Sequence, residues 1–197
     1  MNLADRITFV RIILTPLFCI VYFLPGLLPS VFTGSLAWNV ALLWIIAVIS
    51  EFTDMFDGMA ARRYNQSSDF GRLFDPFADT LMQITGFFCF VLDGILPAFL
   101  FLVVLYREFG ILFIRNLMLR KGIAMGARIS GKIKTVTYIT AAAIALLYAS
   151  LVRLSVLEFL QPIVKIAAIA VFILSVLFSV LSFFDYLSVY IKAPKKE

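Results

Sequence analysis

Histidine is absent from the 197 residues. That excludes a His-ligated metal site, a Ser-His-Asp triad and a histidine proton shuttle. Cysteine is scarce. Cys19 and Cys89 lie far apart in apolar runs and form no C-x-x-C, so they read as small hydrophobic side chains. Charge is scarce too, at 15% of residues where a soluble chain carries about 25%. What fills the chain instead is apolar: 62% hydrophobic residues, with 21 Phe and a mean hydropathy of +1.02. A domain of this size has no interior large enough for so much apolar side chain. Lipid is therefore the solvent for much of the surface, and an ordinary soluble enzyme, a disordered chain and a disulfide scaffold are excluded.

A helix needs roughly 20 apolar residues to cross about 30 Å of hydrocarbon. Six runs qualify: Ile7–Leu24, Leu36–Arg62, Leu73–Leu96, Ala98–Leu119, Lys134–Leu151 and Ile163–Tyr190. They lack the two-residue alternation of barrel strands, so the expected fold is all-α, a polytopic membrane protein with six transmembrane helices in one domain, residues 1–197. The first run is too long for a signal peptide's apolar region and leads into Pro25-Gly26 rather than a small-x-small site, so it reads as a membrane helix. The basic residues sit on one side. Arg6, then Arg62, Arg63 and Arg72, then Arg120, Lys121, Arg128 and Lys132, then Lys192, Lys195 and Lys196 fall at alternate turns and at the ends, whereas residues 25–35 carry no charge and Arg153 stands nearly alone. The positive-inside rule puts both termini and these loops in the cytoplasm. The net charge of +5 is thus a topology signal and a contact for anionic lipid, and a nucleic-acid face is not expected.

The informative stretch is EFTDMFDGMAARRYNQSSDFGRLFDPFADT, Glu51 to Thr80. Asp54 and Asp57 are three apart and Asp75 and Asp79 four apart, so each pair shares a helix face. Asp54 lies 18 residues after Leu36, about 27 Å along a helix, and Asp79 lies 17 residues before Leu96, about 26 Å. Antiparallel helices would bring both pairs to one depth, just inside the cytoplasmic boundary. Four carboxylates there need counter-charge, and oxygen ligands without His or Cys suit Mg²⁺, Mn²⁺ or Ca²⁺ rather than Zn²⁺ or Cu²⁺. Two close cations clamped by carboxylates recur in phosphoryl chemistry. Gly58 follows the first pair, where a missing side chain lets a ligand approach the backbone or lets helices pack closely. Asp69 reads as a solvated loop acid. Aspartates within spans are rare and usually functional.

The spacing D-x2-D-G-x2-A-R-x8-G-x3-D-x3-D, met by Asp54, Asp57, Gly58, Ala61, Arg62, Gly71, Asp75 and Asp79, resembles the CDP-alcohol phosphatidyltransferase family. The resemblance implies a six-helix membrane enzyme, a homodimer, that moves a phosphatidyl group from CDP-diacylglycerol to an alcohol and releases CMP. It implies that Asp54, Asp57, Asp75 and Asp79 hold two divalent cations, Mg²⁺ or Mn²⁺, with Asp79 also the base for the acceptor hydroxyl. It assigns Gly58, Ala61, Arg62, Ser68 and Gly71 to the CDP-diacylglycerol site. Thr8 joins them through the L-T-x-x-R-like start at Ile7-Thr8-Phe9-Val10-Arg11.

Arg107 and Arg115 lie eight apart in the fourth run, and Lys132 and Lys134 open the fifth. Cations at membrane depth need anionic partners; Glu108 is one candidate, and a phosphate on the acceptor is another. For Lys132 the competing reading is snorkelling at the interface. Lys132 and Lys134 point about 200° apart on a helix, so one of them is expected to face the pocket. Tyr106-Arg107-Glu108, Arg115 and Gly131-Lys132-Ile133-Lys134-Thr135, with Arg63-Tyr64-Asn65-Gln66-Ser67, are similar to the bacterial branch of the family that uses glycerol 3-phosphate. That branch often has Lys after the last motif aspartate, where this chain has Thr80, and Glu51 adds a carboxylate one turn before Asp54. An inositol phosphate suits the same cations. A divalent-cation path is a different reading, but its polar residues belong through the midplane rather than at one edge. A bacterial inner-membrane protein with its active site facing the cytoplasm is the expectation.

Overall fold

The computed structural model describes residues 3–30, 32, 34–64, 69–123 and 129–192, with the side chains of 3–7, 54–64 and 69–73 outside the description. Six α-helices follow one another: α1 Leu3–Leu27, α2 Ala37–Tyr64, α3 Asp69–Leu92, α4 Ala98–Arg120, α5 Ile129–Leu154 and α6 Gln161–Lys192. They match the six apolar runs in number and order. Among the described residues three are long and apolar enough to cross a membrane: Thr8–Leu27 of α1, and all of α5 and α6. α2 is apolar as far as Thr53, and α4 is interrupted by Arg107, Glu108 and Arg115.

The helix ends have local causes. α3 stops at Leu92, four residues before the expected Leu96, because Gly94 takes a positive φ of 67°. There Gly94 N–H bonds the carbonyl of Val91 and Ile95 N–H that of Phe90, the crossed pair of a Schellman turn. Gly122 (φ 74°) ends α4 in the same way, its N–H on Leu119 and that of Ile123 on Met118. The early stop shortens the path from Asp79 to the end of its helix to 13 residues, about 20 Å, against 17 residues and about 26 Å from Ala37 to Asp54 in α2. α5 starts five residues before Lys134, since its polar first turn is helical though not apolar.

α1 packs on α2 and α3, α4 on α3 and α6, and α5 on α6, α3 and α2. Phe87 is the central aromatic side chain, edge-on to Tyr138 with centroids 5.3 Å apart and 4.9 Å from Phe172, so α3, α5 and α6 meet there. Ala141, Ala145 and Ala168 are fully buried, and such small residues let α5 and α6 approach closely. Hydroxyls tie the same pair: Ser175 Oγ donates to the Thr137 carbonyl and Tyr138 Oη to Ser179 Oγ at 2.7 Å. Large apolar side chains face outward instead, among them Ile13 and Ile20 of α1, Phe113 of α4 and Leu177 and Leu181 of α6, a surface made for lipid.

A polar knot closes one end of the bundle. Arg153 of α5 donates to Asn39 Oδ1 at 2.6 Å and to the Tyr22 carbonyl at 3.0 Å, and its guanidinium lies over the Tyr22 ring. Tyr22 donates to Asp93 Oδ2 at 2.7 Å, and Asn39 to the Val21 carbonyl. Three helices and the turn that follows α3 are thereby tied together.

Candidate active site

Two rungs join α1 to α3. Thr8 and Arg11 are three apart on α1, and Asp75 and Asp79 four apart on α3, so each pair presents one face. Thr8 Oγ1 donates to Asp75 Oδ1 at 2.6 Å, and Arg11 Nη1 donates to Asp79 Oδ1. Thr8 and Arg11 are both completely buried, so the α1 donors are held by packing before they meet the carboxylates. Thr15, one turn on, donates to the Arg11 carbonyl. Pro76, lacking an N–H, sits within the turn that separates the two aspartates.

Asp79 opens onto a cavity of about 400 Å³ to which all six helices contribute. α2 supplies Ser50 and Glu51, one turn before Asp54 in the sequence. Asp54, Asp57, Gly58, Ala61 and Arg62 fall within α2 and Gly71 within α3, but their side chains lie outside the described residues, as does Ser68 altogether.

Basic residues line the same cavity. Arg107, Arg115, Lys132 and Lys134 all line the cavity, as the sequence grouped them. Glu108 holds two of them: its Oε1 accepts from Arg107 Nη1 at 2.8 Å and from Lys134 Nζ at 3.0 Å. Arg107 is further tied to α6, through Nε to the Ser179 carbonyl and Nη2 to Ser182 Oγ, both at 3.0 Å. Lys134 adds Gln83 Oε1 at 3.3 Å and the face of Tyr138. This buried group has two cations and one anion, so it presents net positive charge to the cavity. Arg115 reaches Tyr186. One expectation needs correcting: Lys132 and Lys134 both border the cavity rather than one alone. Lys134 is buried, while Lys132 is exposed on the first turn of α5, where a four-carbon stem reaches the rim despite its angle on the helix.

Asp75 and Asp79 are hard oxygen donors one turn apart, each oriented by a donor from α1, and that set fits Mg²⁺ or Mn²⁺. Among the described residues no three Asp, Glu or Cys side chains converge as a metal site; the side chains of Asp54 and Asp57, the other two aspartates of the expected tetrad, lie outside the described residues. A cavity lined by both carboxylates and basic side chains is suited to an anionic phosphate ester whose hydroxyl is delivered to a carboxylate.

The sequence reading did not find Arg11 as the partner of Asp79, nor Gln83 or Tyr186. Arg11 carried a usable signal, as the only charge in the first apolar run. Tyr186 carried none beyond a polar tip in an apolar helix.

Comparisons with known proteins give the chain a family. A CDP-diacylglycerol–glycerol-3-phosphate 3-phosphatidyltransferase of Treponema pallidum (strain Nichols) is 34% identical over 203 aligned positions, covering 100% of this chain and 92% of the relative. One of the same name from Bacillus subtilis (strain 168) is 34% identical over 149 positions, 75% of this chain and 77% of the relative. The family model for CDP-alcohol phosphatidyltransferase matches residues 1–183. The chain therefore belongs to the CDP-alcohol phosphatidyltransferase family.

Proposed function

We propose that this phosphatidyltransferase moves the phosphatidyl group of CDP-diacylglycerol to glycerol 3-phosphate, giving phosphatidylglycerol phosphate and CMP. The observation that carries the acceptor is the basic set of Arg107, Arg115, Lys132 and Lys134 lining the same cavity as Asp79. Arg107 and Lys134 share the one carboxylate of Glu108, so the basic cluster keeps an excess of positive charge that a neutral acceptor leaves unbalanced and a phosphate meets. The names of the relatives from Treponema pallidum and Bacillus subtilis support the same acceptor.

In this reading Asp79 takes the proton of the acceptor hydroxyl. The acceptor oxygen bonds the phosphatidyl phosphorus, and the bond from that phosphorus to the bridging oxygen breaks, so that oxygen leaves on CMP. Arg11 holds Asp79 in place and Thr8 holds Asp75. Asp54, Asp57, Asp75 and Asp79 are the residues to hold two divalent cations, Mg²⁺ or Mn²⁺, whose chemistry when bound is to neutralise the pyrophosphate charge. Gly58, Ala61, Arg62, Ser68 and Gly71 serve the cytidine diphosphate, with Thr8 at the edge of that site. The protein crosses the bacterial inner membrane six times as a homodimer, with both termini and the site on the cytoplasmic side, a topology supported by the distribution of its basic residues.

The test is product identity. Purified protein given CDP-diacylglycerol, Mg²⁺ and glycerol 3-phosphate should form phosphatidylglycerol phosphate by mass spectrometry. Product only with an inositol phosphate would replace the acceptor, and cation flux without CMP would replace the reaction.

A further inference from the structure

Tyr186 enters the cavity from α6, a helix to which the sequence assigned no site residue. It is 2% exposed and still lines the cavity. Arg115 Nη2 donates to its phenol oxygen at 3.3 Å, and the guanidinium stands 5.4 Å from the ring centroid. Arginine only donates, so this bond uses a lone pair of the phenol and leaves its O–H to give away. Among the described residues that O–H has no acceptor. The neighbouring carboxylate, Asp185, takes its bond from Ser130. Arg115 Nε is likewise buried among the described residues without a partner.

Buried donors without acceptors are uncommon and call for a ligand. Here two stand on adjacent groups at one cavity wall, one of them a cation, and an anion with several oxygens satisfies both. Two buried basic side chains that line the cavity are already engaged, Arg107 with α6 and Glu108, and Lys134 with Glu108 and Gln83. Space for the hydroxyl is made by Gly131, where a Cβ would stand 3.2 Å from the phenol oxygen.

We propose that Tyr186 is a phosphate-binding residue, donating together with Arg115 to the phosphate of the acceptor alcohol. The proposal rests on the acceptor reading above and adds a residue to it. A phosphate also occurs in the donor's pyrophosphate, so the kinetic arms must separate the two.

Tyr186→Phe removes the hydroxyl and keeps the ring over which Arg115 lies. With CDP-diacylglycerol and Mg²⁺, the variant should raise the KM for glycerol 3-phosphate roughly tenfold or more, as expected for one lost bond to a charged group. The KM for CDP-diacylglycerol and kcat should stay within about twofold of the unaltered protein. Gly131→Ala presses on the same hydroxyl directly from α5. It should raise the acceptor KM alone and add less than about twofold in the Tyr186→Phe background, since the atom it crowds is gone. An unchanged acceptor KM in Tyr186→Phe overturns the proposal, and so does a shift in the KM for CDP-diacylglycerol in its place. Absence of turnover by the unaltered protein with glycerol 3-phosphate overturns the acceptor reading itself, and the assignment of Tyr186 falls with it.

Discussion

Arg11, completely buried on α1, donates to Asp79 on α3, the residue assigned as the base. The pair links two helices 68 residues apart in sequence and fixes a carboxylate at the cavity edge. Asp79→Asn keeps an amide oxygen for Arg11 and removes the proton acceptor. Phosphatidyl transfer should fall by roughly 10²–10⁴-fold, the contribution of a positioned base, in a protein that still folds but is less stable, because buried Arg11 loses its anionic partner. Full turnover by this variant removes Asp79 from that role.

Removal of the arginine acts on the fold instead. Asp79 is about one-third exposed, so Arg11→Ala should cost about 1–3 kcal/mol of stability, less than the 3–5 of a fully buried pair. Arg11→Lys, which keeps the charge, should lose less. Thermal unfolding in one detergent at fixed protein concentration checks the order.

Much of this arrangement is legible in the chain. The apolar runs give six helices in order, and the four-residue spacing of Asp75 and Asp79 gives their common face. The basic residues of α4 and α5 are grouped correctly as one wall. The rung partners are not legible, because the rotation of one helix against another is set by packing at many residues and is written in neither helix alone. The end of α3 was hidden by Ile95 and Leu96, which are apolar but lie beyond the Gly94 turn, although Asp93-Gly94 is a recognisable stop. Lys132 reaches the rim although Lys134 is about 200° away on the helix, because a long, flexible side chain is not held to one direction on a helical wheel.

Glu108 balances two cations at once, and its loss should show as a charge effect. Glu108→Gln leaves Arg107 and Lys134 buried together without an anion and should destabilise by about 3–5 kcal/mol. Adding Lys134→Met removes one of the stranded charges and should recover part of that loss. No recovery in the double variant would mean that Glu108 acts through packing alone.

Arg107 and Arg115 should separate in kinetics. Arg107 has bonds from Nε, Nη1 and Nη2 to the protein, so Arg107→Ala should lower the melting temperature markedly. Arg115, with Nε left over, should mainly change acceptor use: Arg115→Ala is expected to raise the KM for glycerol 3-phosphate by roughly tenfold or more. Equal effects of the two on both readouts would contradict this division.

The knot at the far end predicts stability without chemistry. Arg153→Ala cuts the bonds to Asn39 and Tyr22 and should destabilise by about 1–3 kcal/mol while both KM values hold. A change in acceptor KM would mean that the two ends of the bundle are coupled.

The most direct measurement follows CMP release by purified protein in detergent with CDP-diacylglycerol and Mg²⁺. Glycerol 3-phosphate, an inositol phosphate, serine and no acceptor are compared, each with and without a chelator. Release with glycerol 3-phosphate alone, abolished by the chelator and restored by excess Mg²⁺ or Mn²⁺, is the result this account predicts. Release that ignores the chelator, or none with any acceptor from folded protein, would contradict it.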